Sequence, residues 1–142
     1  MESELRKIYE SETDRQNQRK VSEYLEEVWD CKFKKAISLE AIDGAVFTLD
    51  KKLAALIEIK KRYNPSTRYP TYMLSAQKWR RAMELSDEYE VPCMLVIEFT
   101  DGVFATKLKD SYQVAKGGRT DRGDLMDIED CIYIPMNEFK RV

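Results

Sequence analysis

The sequence predicts an α/β domain in which a mixed sheet carries two helices and ends in a C-terminal loop and short strand. Three observations predict it. An amphipathic helical stripe near the N-terminus gives way to short extended runs. A second helical stripe follows them, and after Pro92 the chain turns into two further extended runs. The order is helix, three strands, helix, two strands, tail.

Residues 14–29 read as the first helix, because Val21, Tyr24, Leu25, Val28 and Trp29 fall at i, i+3, i+4, i+7 and i+8. From Phe33 the patterning is extended, with strands expected at 33–37, 42–49 and 53–60, the last two joined by a charged turn at 50–52. Asn64, Pro65, Ser66 and Pro70 mark 63–70 as a loop. A second helix is expected over 71–89, since Tyr72, Ala76, Trp79 and Met83 share one face. Residues 93–99 form an apolar strand, and Thr100-Asp101-Gly102-Val103 a tight hairpin into a strand ending at 107. In the tail, the glycines and charges of 116–124 suggest a mobile loop, followed by a short strand at 131–134 and a last turn. Residues 1–142 read as one domain, with a core over about 14–107 and a C-terminal extension over 108–142.

Composition narrows the chemistry. Hydrophobic residues make up 43% of the 142, enough for a buried core, and no stretch reaches the roughly 18 consecutive apolar residues that span a bilayer. Cys31, Cys93 and Cys131 are odd in number, far apart and without a CxxC pair, which fits a reducing, cytoplasmic setting. The chain has no histidine, which removes Ser-His-Asp and Cys-His nucleophilic sites and every histidine-dependent metallohydrolase. Carboxylates with a hard metal, and a lysine as basic partner, remain for hydrolysis. The net charge of -2 argues against a surface that clings everywhere to nucleic acid. The basic residues are nevertheless clustered, at Lys51, Lys52, Lys60, Lys61 and Arg62 and again at Lys78, Arg80 and Arg81.

Side chains two apart in a strand share a face, so Glu58 and Lys60 project together while Ile57 and Ile59 point the other way. Asp43 lies one strand earlier, and strands about 4.8 Å apart can bring both carboxylates to one cation. With the backbone carbonyl of Ile59 they make an oxygen site suited to Mg²⁺ or Mn²⁺, which keep several waters and grip a phosphate. Lys60 would orient or deprotonate the attacking water, or neutralise charge developing on the phosphoryl oxygens. The sequence does not separate those roles.

Asp43 with Gly44-Ala45-Val46, followed by Ala55-Leu56-Ile57-Glu58-Ile59-Lys60, resembles the D-x(n)-E-x-K signature of the PD-(D/E)xK phosphodiesterase superfamily. The element order resembles its restriction-endonuclease-like αβββαβ core, and the length resembles its small phage-encoded members. The resemblance implies that Asp43 and Glu58 bind the metal and that Lys60 assists the nucleophile. The proline of the family's name is absent, since Ile42 precedes Asp43.

Asp14 and Gln18 lie nearest the inward face of the first helix and are candidates to support the metal's water, whereas Glu23, Glu26 and Glu27 face away from the stripe. Lys78 flanks the buried face of the second helix, either to contact the scissile phosphate or to snorkel into solvent. Lys61, Arg62, Arg119 and Arg122 are the candidate contacts to a nucleic-acid backbone, the last two against the alternative of a solvated loop. Tyr63 and Tyr69, on the loop after the key strand, remain as aromatic substrate contacts.

The expectation is a metal-dependent nuclease acting on DNA, with RNA not excluded. It is an endonuclease or resolvase type, and a two-fold dimer is required if it cuts both strands. Two other readings stand beside it: a non-catalytic nucleic-acid- or protein-binding module on the same fold, and an interaction protein in which Glu58 and Lys60 are a surface ion pair.

Overall fold

The computed structural model describes residues 12–35, 42–118 and 128–142. The helical stripe folds as α1 (Glu12–Trp29). It buries Val21 and Leu25 completely, while Tyr24 and Val28, also on the expected stripe, stay exposed. The inward face is thus narrower than the periodicity suggests, and the Tyr24 hydroxyl instead donates to the Val142 carbonyl. Asp30 takes a left-handed backbone, φ 51°, which ends the helix and turns the chain into the sheet.

Six strands form the main sheet: β1 (Lys32–Lys35), β2 (Gly44–Phe47), β3 (Leu53–Lys61), β5 (Cys93–Phe99), β6 (Gly102–Lys107) and β9 (Lys140–Arg141), in the order β1-β2-β3-β5-β6-β9. β1, β2 and β3 are the expected antiparallel meander. β3 pairs parallel with β5, and the remaining neighbours are antiparallel. β3 therefore lies inside the sheet with a partner on each side. Its alternation is the physical basis of the two-sided core. Ile57 and Ile59 pack with Val21, Leu25 and Val96 against α1. Leu56 packs with Leu95, Ile97 and Trp79 on the face of α2 (Ala76–Tyr89).

Two sequence expectations need correction. Residues 71–75, expected as the first turn of the second helix, are a strand, β4 (Thr71–Ser75). Tyr72 and Leu74 are buried while Met73 between them is exposed, a period of two that the four-residue spacing of Tyr72 to Ala76 conceals. The helix begins only at Ala76. The run 116–124 is not all loop either, because β7 (Val114–Gly118) pairs with β8 (Ile128–Pro135), which in turn pairs with β4 in a second sheet of order β4-β8-β7. Residues 119–127 lie outside the described residues. The segment 108–142, expected as an extension, supplies Leu108, Ile132, Ile134 and Phe139 to the α2-side core. Among the described residues no helix is long and apolar enough to cross a membrane.

Candidate active site

Alternation along β3 sends Glu58 and Lys60 to the α2 side of the sheet, next to Leu56. Glu58 is only 7% exposed, and its Oε1 lies 3.0 Å from Lys60 Nζ. Asp43 sits one residue before β2 and is fixed from three directions. Its N–H donates to the Ile57 carbonyl at 2.9 Å, its Oδ2 accepts the Ile59 N–H at 2.6 Å, and its Oδ1 accepts Gln18 Nε2 at 3.1 Å. The Asp43 carboxylate is thereby tied to the peptide between Glu58 and Lys60. Gln18 reaches it from α1 because positions 18, 21 and 25 follow one helical face.

The electrostatics follow from this crowding. Burial first, and the Asp43 charge second, push Glu58 from the ordinary 4.5 up to about 7, against the opposing pull of Lys60 and Lys78. For Lys60 burial acts downward, but the Glu58 charge and hydrogen bond outweigh it and the net direction is up. Lys78, on α2, is pushed down by burial and then by Lys60, with Glu58 pulling the other way. Two carboxylates and two amines thus form one partly buried cluster.

The other candidates divide. Lys61 points to the opposite face from Lys60, where Glu98 Oε1 at 3.1 Å and Asn17 Oδ1 at 3.4 Å hold its amine. Arg62 shares the side of Lys60, its Nη2 2.7 Å from the Tyr72 hydroxyl and its guanidinium 5.2 Å from that ring. Asp14 falls in the first turn of α1, where side chains lie outside the described residues, as do Arg119 and Arg122. The sequence reading missed Asn17 and gave Tyr72 to a helical stripe. From Ile59 to Met83 the chain carries seven Lys and Arg and no Asp or Glu.

Among the described residues no group of three or more His, Cys, Asp or Glu comes together. A cation here would meet two carboxylates and the Ile59 carbonyl, with water and substrate completing its shell. That sparse, all-oxygen donor set fits Mg²⁺ or Mn²⁺ better than a softer ion.

Comparison with known proteins adds three findings. Residues 4–142 match the family model described as "Phage putative PDDEXK endonuclease". No curated protein matches the chain. Among solved structures, that of Archaeoglobus fulgidus Hjc, a Holliday junction resolvase from an archaeal hyperthermophile, is similar at a TM-score of 0.57 and 12% identity. The match covers 88% of this chain and 90% of that one. At that identity the likeness is one of fold.

Proposed function

The chain belongs to the phage PDDEXK endonuclease family, on the mixed α/β fold of the restriction-endonuclease-like superfamily, and from that premise we propose that it is a metal-dependent DNA endonuclease of resolvase type. Asp43, Glu58 and Lys60 would carry the reaction, with residues 1–142 acting as one nuclease domain in the host cytoplasm.

The observation that carries this reading is the convergence of the Asp43 carboxylate with the buried Glu58–Lys60 pair, whose Oε1 and Nζ are 3.0 Å apart. A surface ion pair needs no second carboxylate held beside it. Burying two like charges is costly, and a cation held in common would offset that cost beyond what Lys60 and Lys78 already supply.

In this reading Asp43, Glu58 and the Ile59 carbonyl hold Mg²⁺ or Mn²⁺. When bound, such an ion polarises the phosphoryl oxygen and lowers the pKa of an attacking water. The chain's own residues do the rest. Gln18 and the Ile59 N–H aim the Asp43 carboxylate. Lys60, its Nζ 3.0 Å from Glu58 Oε1, would offer its amine to the attacking water or to charge developing on the phosphate. Lys78, the second amine of the cluster, stands by as a contact to the scissile phosphate. Arg62 lies on the same side and contributes a planar, two-pronged phosphate donor. Lys61 serves more through its ion pair with Glu98 than through direct contact, and Arg119 and Arg122 would add backbone contacts from outside the described residues.

One chain supplies one such site, so cutting both strands of a duplex or a branched junction calls for two copies about a two-fold axis. The resolvase neighbour makes the four-way junction the branched substrate to include. The test is cleavage of single-stranded, duplex and four-way-junction DNA, and of RNA, with Mg²⁺ or Mn²⁺, by wild type and Glu58→Gln. Metal-dependent cutting by wild type alone is the expected result. Metal binding or cutting that survives in Glu58→Gln overturns the assignment, and a wild type that never cuts favours a binding module.

A further inference from the structure

One residue past β3 the chain opens a hollow of about 340 Å³, lined by Arg62, Tyr69, Tyr72, Met73, Phe99 and Tyr133. Its deep walls, Tyr72 and Phe99, are core residues, but Tyr69 is 59% exposed and Met73 and Tyr133 are also open to water. Three large apolar side chains converging on one opening mark a place that something else covers.

The hollow is preformed. The loop that carries Tyr69 is pinned at Asn64, whose carbonyl accepts the Thr100 N–H at 3.1 Å, and at Pro70, whose carbonyl accepts the Met136 N–H at 2.9 Å. Between these points Asp101 accepts the Ser66 N–H at 2.8 Å and its hydroxyl at 2.6 Å. One cation lines the hollow, Arg62 bonded to the Tyr72 hydroxyl, and a second, Arg68, lies 5.6 Å from the Tyr69 ring. Both belong to the run from Ile59 to Met83, which carries no acid, and the carboxylate nearest the loop, Asp101, is taken up by Ser66, in a chain whose net charge is -2. The occupant should therefore pair a flat apolar face with an anion.

A nucleotide has both. A volume near 340 Å³ lies at the small end of the range for ligand sites, roughly 300–1,000 Å³, and suits one nucleotide rather than a duplex. Bases in a stacked duplex offer only their edges in the grooves, whereas the rings here ask for a face. We infer that this pocket receives one unpaired nucleobase of the strand being cut, stacked on Tyr69, with Arg62 on the adjoining phosphate. The site thereby favours DNA with an unstacked base close to the scissile bond, as at a branch, flap or single strand. This inference rests on the nuclease reading.

The test is binding in EDTA, where no cleavage occurs, of two oligonucleotides of equal length, one fully paired and one with an unpaired 2-aminopurine at a branch point. Wild type should prefer the second by about tenfold, the scale of one base–aromatic stack, and should quench the 2-aminopurine fluorescence. Tyr69→Ala should erase both the preference and the quenching, and Tyr69→Phe should keep them. Tyr89→Ala serves as the control, since that exposed tyrosine stands at the other end of α2, about 20 Å of helix away. Unchanged preference and quenching in Tyr69→Ala overturn the pocket while cleavage by wild type keeps the nuclease reading. A wild type that neither binds nor cuts any of the DNAs overturns both.

Discussion

Asp43 Oδ2 accepts the backbone N–H of Ile59 at 2.6 Å, so the aspartate before β2 caps the peptide between Glu58 and Lys60 on β3. This bond holds Asp43, just before β2, beside Glu58 and Lys60 of β3 in one arrangement, and the contributions of shape and charge can be separated at Asp43. Asp43→Asn keeps an oxygen for the Ile59 N–H and should lose no more than about 1 kcal/mol of stability. Asp43→Ala leaves that N–H without its acceptor and should lose about 1–3 kcal/mol. Both should reduce cleavage at least 100-fold, because both remove a charge facing the proposed cation. Urea unfolding beside a cleavage assay distinguishes them, and equal stability of the two variants would show that the bond positions nothing.

Glu58 makes metal-free stability depend on pH. Its folded-state pKa is about 7, against an ordinary 4.5, chiefly through burial and then through Asp43. Between those values the folded protein holds the proton that the unfolded chain has released. Stability should therefore fall as pH rises from about 4.5 to about 7, then level off. At 1.36 kcal/mol per unit the loss is on the order of 3 kcal/mol. Urea titrations in EDTA from pH 4.5 to 8 should show this slope in wild type and a flatter one in Glu58→Gln. A wild-type stability that rises over that range would contradict the assignment.

The Asp43–Glu58–Lys60 group was legible because each part rests on local geometry. A strand's period of two puts Glu58 and Lys60 on one side, and the 50–52 turn returns the chain far enough for Asp43 to come alongside. Gln18 was legible by the same logic, since it continues the face of Val21 and Leu25. β4 was not, because Tyr72, Ala76, Trp79 and Met83 satisfy a helical spacing whether or not the first of them is helical. Its strand state is decided by β8, through pairs such as Tyr72 with Ile134 that lie far apart in sequence. β7 was concealed by Gly117 and Gly118, which weaken a strand's own signal and leave pairing to a partner. The pocket beyond Arg62 depends on that second sheet, so only its aromatic residues, and not their meeting place, could be read in advance.

Gln18→Glu would add a third carboxylate where Gln18 Nε2 now donates to Asp43 at 3.1 Å. Without metal it exchanges a hydrogen bond for repulsion, and stability at pH 8 should drop by about 1 kcal/mol or more. With metal it adds an anionic ligand, and Mn²⁺ affinity by calorimetry should rise several-fold. For wild type the same titration should show affinity rising about tenfold per pH unit below 7, because the cation must displace the Glu58 proton. Affinity independent of pH, or weakened in Gln18→Glu, would place the cation elsewhere.

Gly44 lies beside Asp43, where β2 meets β1. A Cβ there would collide with the Lys34 carbonyl oxygen and the Phe33 ring. Gly44→Ala should therefore push the two strands apart and cost about 1–3 kcal/mol. Thermal unfolding reads this directly, and an unchanged midpoint would mean that β1 yields freely.

β3 lies between β2 and β5 with both edges paired, whereas the rings beyond it sit on a loop held by a few bonds. Amides around Glu58 and Lys60 should thus be among the last to exchange with solvent deuterium, and those of 63–70 should exchange earlier, except Ser66 and Arg68, whose N–H groups are bonded. On the proposed reading, reaction and target lie on one continuous stretch of chain, the first on a strand paired along both edges and the second on a loop held by its own few bonds. On that reading, rewriting the loop should retune what is cut while the strand carrying Glu58 and Lys60 is left untouched.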